Sequence, residues 1–229
     1  MLAGTALLRL LQLASPSLPI GAYSYSQGLE GAIDLGLVHD AASARDWIGG
    51  QLLDVVAHFD APLQWRLLQA FDQRDGTAAR GWSERWLASR DTFELRAETV
   101  QMGYSLRQLL VALQGDEPHG VGLLELLDEA SLSLPAAYAC AAAALGVPAP
   151  AALLGAVFSW TENQVLVCVK TVPLGQVAGQ KMLLALSPLV EIAVRSAQEL
   201  PDAALSNWAP GLSLLSMRHE VQYSRLYRS

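Results

Sequence analysis

Gln164-Val165-Leu166-Val167-Cys168-Val169-Lys170 decides the fold class. Val165 to Val169 is rich in β-branched side chains, which favour a pleated strand, and it is the only good strand signal in the 229-residue chain. A single isolated strand has nothing to pair with. The run is therefore read as helix against its local preference, and the fold class follows as all-α.

Helical periodicity dominates on both sides of this stretch. Downstream, 176–199 predicts a long helix ending before Pro201. Upstream, helices are expected over 121–132, 135–146 and 150–160, after a loop at 114–120 built on Gly115-Asp116-Glu117-Pro118. Asp91 is the expected N-cap of a helix to about Leu113, with Glu94 as its capping-box partner. The apolar line of that helix is Met102, Leu106, Leu109, Leu110 and Leu113. A short helix at 80–90 carries Trp82, Trp86 and Leu87 on one side. Asp60 with Pro62 two residues later marks a helix start, ending near Asp75-Gly76. Asp40 or Ser43 caps a helix to about His58, and another runs from Ser24 or Ser26 to Gly36. The first helix, 3–14, sets Leu7, Leu8, Leu11 and Gln12 on an amphipathic pattern and stops at Ser15-Pro16-Ser17-Leu18-Pro19. The sum is a single compact all-α domain of roughly ten helices over 1–216, followed by a C-terminal tail at 217–229.

Composition limits the function classes. Apolar residues make up 52% and charged residues 16%, against about 25% charged in ordinary globular domains. Such a chain buries a core and leaves apolar surface for partners to cover. Its net charge of −7 and pI near 5.0 argue against nucleic-acid binding, which needs basic surface. Cys140 and Cys168 lie in apolar runs, as two buried thiols of a reducing compartment would. Nothing basic precedes the apolar N-terminal stretch, and Arg9 interrupts it, so no export signal is read and a cytoplasmic location is expected. No charge occurs between Glu129 and Glu162, yet Pro135, Gly146, Pro148 and Pro150 divide that run and alanine dominates its first part. Two close-packed helices of a soluble core fit it better than a membrane span.

No catalytic or metal motif emerges. His39, His58, His119 and His219 are far apart, and no Cys or carboxylate cluster has ligand spacing. His219-Glu220 is an adjacent pair with metal-binding chemistry, and it cannot hold an ion alone. Gly175-x-x-x-Gly179-Gln180-Lys181-Met182 has the wrong spacing for a phosphate loop, and Met182 stands where a magnesium-binding Ser or Thr belongs. Three patterns remain: a Pro-Gly loop leading into a Ser/Tyr-rich helix start at 13–30, Lys170-Thr171-Val172-Pro173-Leu174-Gly175-Gln176, and the tail. The tail carries Arg218, Arg225 and Arg228 with Tyr223 and Tyr227, residue types enriched in interface cores.

These stretches resemble the urease accessory protein UreF family. The matches are LASPSLPIGAYSYSQGLE at 13–30, RDTFELRAETVQMGYSL at 90–106, KTVPLGQVAGQ at 170–180 and MRHEVQYSRLYRS at 217–229. They are collinear and span most of the chain. Tyr227 stands where many relatives carry Phe, a conservative departure. The resemblance implies an all-α homodimer that acts in maturation of urease, the nickel enzyme that hydrolyses urea. It implies assembly with UreD (also called UreH) and the GTPase UreG, and nickel delivery to apo-urease coupled to GTP hydrolysis. The chain itself would be an adaptor and not an enzyme, with no stably bound cofactor and no metal site. Nickel would be handled by the complex.

On that basis the tail is expected to dock onto UreD and to fold on binding, through Arg218, His219, Glu220, Tyr223, Ser224, Arg225, Tyr227 and Arg228. Glu30, Lys170 and the turn Pro173, Leu174, Gly175, Gln176 are expected to face UreG. The alternative is a protein acting directly on UreG to activate or regulate its GTPase, with Arg218 or Arg225 as an arginine finger. Transient nickel contact at His219 of two protomers is a further alternative.

Overall fold

A computed structural model describes residues 3–113 and 120–229. All its regular elements are helical: α1 (Gly4–Leu13), α2 (Leu29–Asp34), α3 (Ala41–Gln51), α4 (Ala61–Asp72), α5 (Gly76–Ala88), α6 (Phe93–Leu113), α7 (Leu134–Ala144), α8 (Ala149–Thr171), α9 (Gln176–Glu199) and α10 (Pro210–His219). Among the described residues there is no strand. The expected loop at 114–120 lies, except for Gly120, outside the described residues, as does His119.

Val165 to Val169 is helical and belongs to the second half of α8, which runs well beyond the expected 150–160. Val165, Val167 and Cys168 are buried, and Val169 faces α9. The helices approach so closely that a Cβ on Gly179 would sit 2.6 Å from Val169 Cγ2. Packing against α9 thus overrides strand propensity, which reports side-chain fit to a half-buried surface more than backbone preference.

α4 occupies the centre, against α7, α8 and α9. It contributes Leu63, Leu67, Leu68 and Phe71 to the core. α7 is buried on nearly every side, as its alanines permit, and its Tyr138 hydroxyl donates to the Ala152 carbonyl at 3.0 Å. α6 buries Met102, Leu106 and Leu110 with Leu109 partly covered, as the apolar line predicts. Each such large side chain contributes about 1.5–3 kcal/mol of transfer free energy.

Several local expectations are corrected. Asp60-x-Pro62 does not start a helix. α3 passes through a π-helical segment, Leu52–Asp60, directly into α4. Pro62 lacks an N–H for the His58 carbonyl four residues back, and Ser206 N–H donates to that carbonyl instead, at 3.1 Å. Residues 121–132 form only two 3-10 turns, Leu124–Leu126 and Glu129–Ser131. Gly122 there has φ +76°, and the Asp128 carboxylate accepts from Ala130 N–H and Ser131 Oγ, which competes with helical pairing. The helix at 80–90 starts earlier, at Gly76, because Asp75 accepts from Ala78 N–H. Asp40 and Ser43 do form a reciprocal capping box on α3. On α1 the buried side is Ala6 and Leu13, with Leu10 half-covered, while Leu7, Leu8 and Leu11 are exposed.

α8 and α9 are each long and apolar enough to cross a membrane. In the fold they pair with each other and with α4, and half of the most apolar window of α8 is buried in the protein. The uncharged run between Glu129 and Glu162 divides into α7 and the first part of α8, as its prolines predict.

Candidate functional site

The C-terminal segment lies in a groove of its own chain, between α2 and the first turns of α6. Gly28 allows the approach. It has φ +82°, the left-handed region that a Cβ disfavours, and a Cβ there would also meet Leu212 Cδ1 at 2.9 Å. α10 therefore packs directly on the start of α2.

The start of α6 holds α10 and its continuation. Asp91 and Glu94 are not its capping pair. Thr92 Oγ1 accepts from Leu95 N–H and pairs with Ser216 Oγ at 2.8 Å. Asp91 accepts from Ser213 Oγ at 2.6 Å. Phe93 N–H donates to Glu220 Oε1 at 3.0 Å, so a tail carboxylate meets the positive end of the helix.

Beyond α10, carboxylates hold the tail. Glu30 is buried. Its Oε1 accepts from Leu226 N–H at 2.8 Å, and its Oε2 from Tyr227 N–H at 3.0 Å. His219 has no exposed surface and lies between two carboxylates, with Nε2 3.0 Å from Glu30 Oε2 and Nδ1 2.6 Å from Glu94 Oε2. Glu94 Oε1 also accepts from Arg225 Nη1 at 2.7 Å. Farther along, Arg228 N–H donates to the Ser24 carbonyl at 2.8 Å, and the Ser229 carbonyl accepts from Ser26 and Gln27 N–H at 2.8 and 3.1 Å.

Glu98 forms the floor of the groove. It accepts from Ser229 Oγ and, at 2.6 Å, from Gln27 Nε2. Gln27 Oε1 in turn accepts from Trp160 Nε1 at 2.6 Å. Burial pushes the Glu98 carboxyl up to about 7, although the hydrogen bonds from Ser229 and Gln27 oppose the shift. The Tyr227 ring is buried, and its hydroxyl has no hydrogen-bond partner among the described residues.

The expected site residues thus divide. Glu30, His219 and Tyr227 point into the groove, and Arg225 pairs with Glu94 at its rim. Arg218, Tyr223, Ser224 and Arg228 are exposed, as is Glu220 apart from its bond to the α6 terminus. The boundary drawn at 216/217 falls inside α10, and the tail is ordered against its own chain. Lys170 lies in the last turn of α8, Pro173 and Gly175 are exposed in the turn to α9 with Leu174 half-buried, and Gln176 is exposed at the start of α9. Lys170 Nζ lies 5.9 Å above the Tyr23 ring. Tyr23 and Ser24 belong to one 3-10 turn, Ala22–Ser24, so a single loop touches Lys170 through one residue and Arg228 through the next. Glu30 is brought to the tail and not to the Lys170 turn.

Sequence reasoning missed Glu94 and Glu98. Glu98 precedes Met102 by four residues on the buried side of α6, and a carboxylate on an apolar line is the signal that finds it. Glu94 is one further turn back.

Among the described residues no three His, Cys, Asp or Glu side chains converge as metal ligands. Both His219 nitrogens face carboxylates, so ligation there requires opening the tail. Burial pushes the Cys140 and Cys168 thiols up to about 12. A cavity of about 180 Å³ lies beside the groove, lined by Leu13, Tyr25, Trp86, Tyr138 and Trp160. Its polar groups are committed, Arg90 to Asp60 and Gln64 to the Pro135 carbonyl.

The model of the family described as UreF matches residues 38–187. A urease accessory protein UreF of Janthinobacterium sp. (strain Marseille) is 63% identical over 224 residues, covering 98% of both chains. The UreF of Nitrosospira multiformis is 56% identical over 224 residues, again 98% of each. That of Azoarcus sp. (strain BH72) is 51% identical over 225 residues, 97% of this chain and 95% of the relative.

Proposed function

The chain belongs to the UreF family of urease accessory proteins, and from that premise we propose that it joins UreD and the GTPase UreG, so that nickel enters apo-urease in a GTP-dependent step. A role in urease maturation follows from the family itself. The adaptor role rests chiefly on one observation: Lys170, at the start of the turn to α9, and the Arg228 backbone N–H of the tail both contact the same loop, Ala22–Ser24. Two partners seated on these elements would be neighbours.

Arg218, Tyr223, Ser224 and Arg228 face outward and are the groups offered to UreD, with Glu220 and Arg225 at the rim. Lys170, Pro173, Leu174, Gly175 and Gln176 are those offered to UreG. Glu30, His219 and Tyr227 serve this surface from within by fixing the tail backbone. The GTP chemistry belongs to the partner. Gly179 and Lys181 lie inside α9, and Gly179 is packed against α8, so this stretch makes no phosphate cradle. A homodimer and a cytoplasmic location belong to the same proposal.

The test is co-purification of the full chain with UreD and UreG, with and without GTP and nickel. Lys170→Glu should lose UreG while keeping UreD, and Tyr223→Ala with Arg228→Ala should lose UreD. Both are exposed changes that leave the core intact. Normal recovery of both partners by both variants would overturn the assignment.

A further inference from the structure

We propose that the tail, residues 220–229, is a proton-set latch: one proton shared in the His219 cluster holds it in its groove, and loss of that proton as pH rises releases it. The inference rests on the donor inventory of His219 and does not depend on which partner the tail meets.

A neutral imidazole has one N–H donor and one lone pair, and only the imidazolium donates from both nitrogens. Here both nitrogens lie within hydrogen-bond distance of carboxylate oxygens, at 3.0 and 2.6 Å. Ionised carboxylates only accept. The cluster therefore contains one proton beyond the neutral imidazole's own, on the ring or on a carboxyl. Without it, a lone pair would face a carboxylate at one of the two contacts.

The charges support the same conclusion. Glu30 from α2 and Glu94 from α6 face His219, and Arg225 faces Glu94 from the tail. Two negative and two positive groups balance when His219 is an imidazolium. The His219 side chain is wholly buried and both glutamates nearly so, at 0%, 9% and 10% exposure. Loss of the proton leaves one uncompensated charge in a dry site, which is strongly destabilising. Other charged or titratable groups near the groove include Glu98, with the charges of Arg90 and Asp60 acting on it, Tyr227, and Cys168 behind Tyr227. Arg218 and Glu220 flank His219 in sequence; Arg218 is exposed, and the Glu220 carboxylate accepts from Phe93 N–H at the start of α6.

Opening is local because the tail is held only by a limited set of groups at its groove, among them Phe93 N–H on Glu220, Glu94 on Arg225 and Glu98 on the Ser229 hydroxyl. Glu30 takes the Leu226 and Tyr227 amides, Ser24 takes that of Arg228, and Ser26 and Gln27 hold the Ser229 carbonyl. Glu98 acts in the same direction as His219. Its carboxyl, raised by burial to about 7, gains charge beside Ser229 as the pH rises. Release would free the Glu30 carboxylate and expose Tyr227, changing the surface that any partner meets.

The test uses the full chain. Hydrogen exchange of the Leu226 and Tyr227 amides, corrected for intrinsic rate, is followed from about pH 5 to 9, with α7 amides as internal reference. Tail protection should fall by up to tenfold per pH unit past the transition, as expected for one linked proton, while α7 protection holds. The ¹⁵N signals of the His219 ring should move from the doubly protonated to the neutral form at the same pH. Glu94→Gln, which removes one carboxylate, should shift the transition to lower pH. Glu98→Gln should leave the pH of the His219 ring transition in place, while removing Glu98's own contribution to the loss of tail protection. Tail protection that tracks α7 throughout, or a transition abolished in Glu98→Gln, would overturn the latch. So would a transition unmoved in a folded Glu94→Gln protein.

Discussion

Replacing Glu98 by Gln should remove one component of the pH dependence of stability in the groove, the one that Glu98 itself contributes. The Glu98 carboxyl is raised from 4.5 to about 7 because it is fully buried among α6, Gln27 and Ser229. The folded state therefore holds a proton that the unfolded chain has released. Such a group contributes stability that is complete below about pH 4.5 and is lost as pH rises through about 7. At about 1.4 kcal/mol per pH unit, the gap between the two values corresponds to about 3 kcal/mol. Glutamine reproduces the protonated form. Its carbonyl can accept from Gln27 Nε2 as Oε1 does, and its amide can donate to Ser229 Oγ, with no charge to bury. Urea unfolding at several pH values between about 5 and 9 measures the effect. The difference between wild type and Glu98→Gln should shrink toward the acid end, and the variant should be more stable by up to about 3 kcal/mol at the alkaline end. Parallel curves for the two proteins would refute the reasoning, because they would mean that Glu98 is solvated or already ionised in the folded state.

Tyr227→Phe should be neutral or stabilising by about 1 kcal/mol in the same unfolding assay, because it removes a buried hydroxyl that has no partner; a loss of stability would show that the hydroxyl is paired. Gly28→Ala should cost about 1–3 kcal/mol through its positive φ and the contact with Leu212, and should loosen α10 first, visible as faster amide exchange there than in α7. Lys170→Glu should leave thermal stability within about 0.5 kcal/mol of wild type, as an exposed helix-end change does; any larger loss would mean that its contact with Tyr23 is structural.

Much of the fold is legible in the sequence because the signals are local and agree with one another. The apolar line of α6, the Asp40-Ser43 cap of α3 and the Pro201 stop after α9 each specify one element within a few residues. At some of the misread positions a distant group competes for a local one. Asp91 and Glu94 have the spacing of a capping box, but Ser213, His219 and Arg225 claim their carboxylates from more than a hundred residues away. Pro62 reads as a helix start because proline is common there. Its missing N–H is tolerated within a continuous helix only because Ser206 satisfies the freed carbonyl.

The candidate site was legible as a set of unusual segments and not as an arrangement. The tail's arginines and tyrosines stand out against an acidic, charge-poor chain, and composition alone marks them as surface for a partner. Composition cannot show which side chains turn inward. His219 and Arg218 are adjacent in sequence, yet one is fully buried and the other exposed. The difference is made by Glu30, 189 residues away from His219, whose carboxylate spans His219, Leu226 and Tyr227 at once. A buried carboxylate whose two oxygens already face three groups of its own chain has little left to offer a partner directly. Glu30 is therefore better placed to decide whether the tail lies flat than to be read by a GTPase. Glu30→Gln distinguishes the two roles: it should weaken tail protection in the isolated protein, an effect that a purely partner-facing residue would not have.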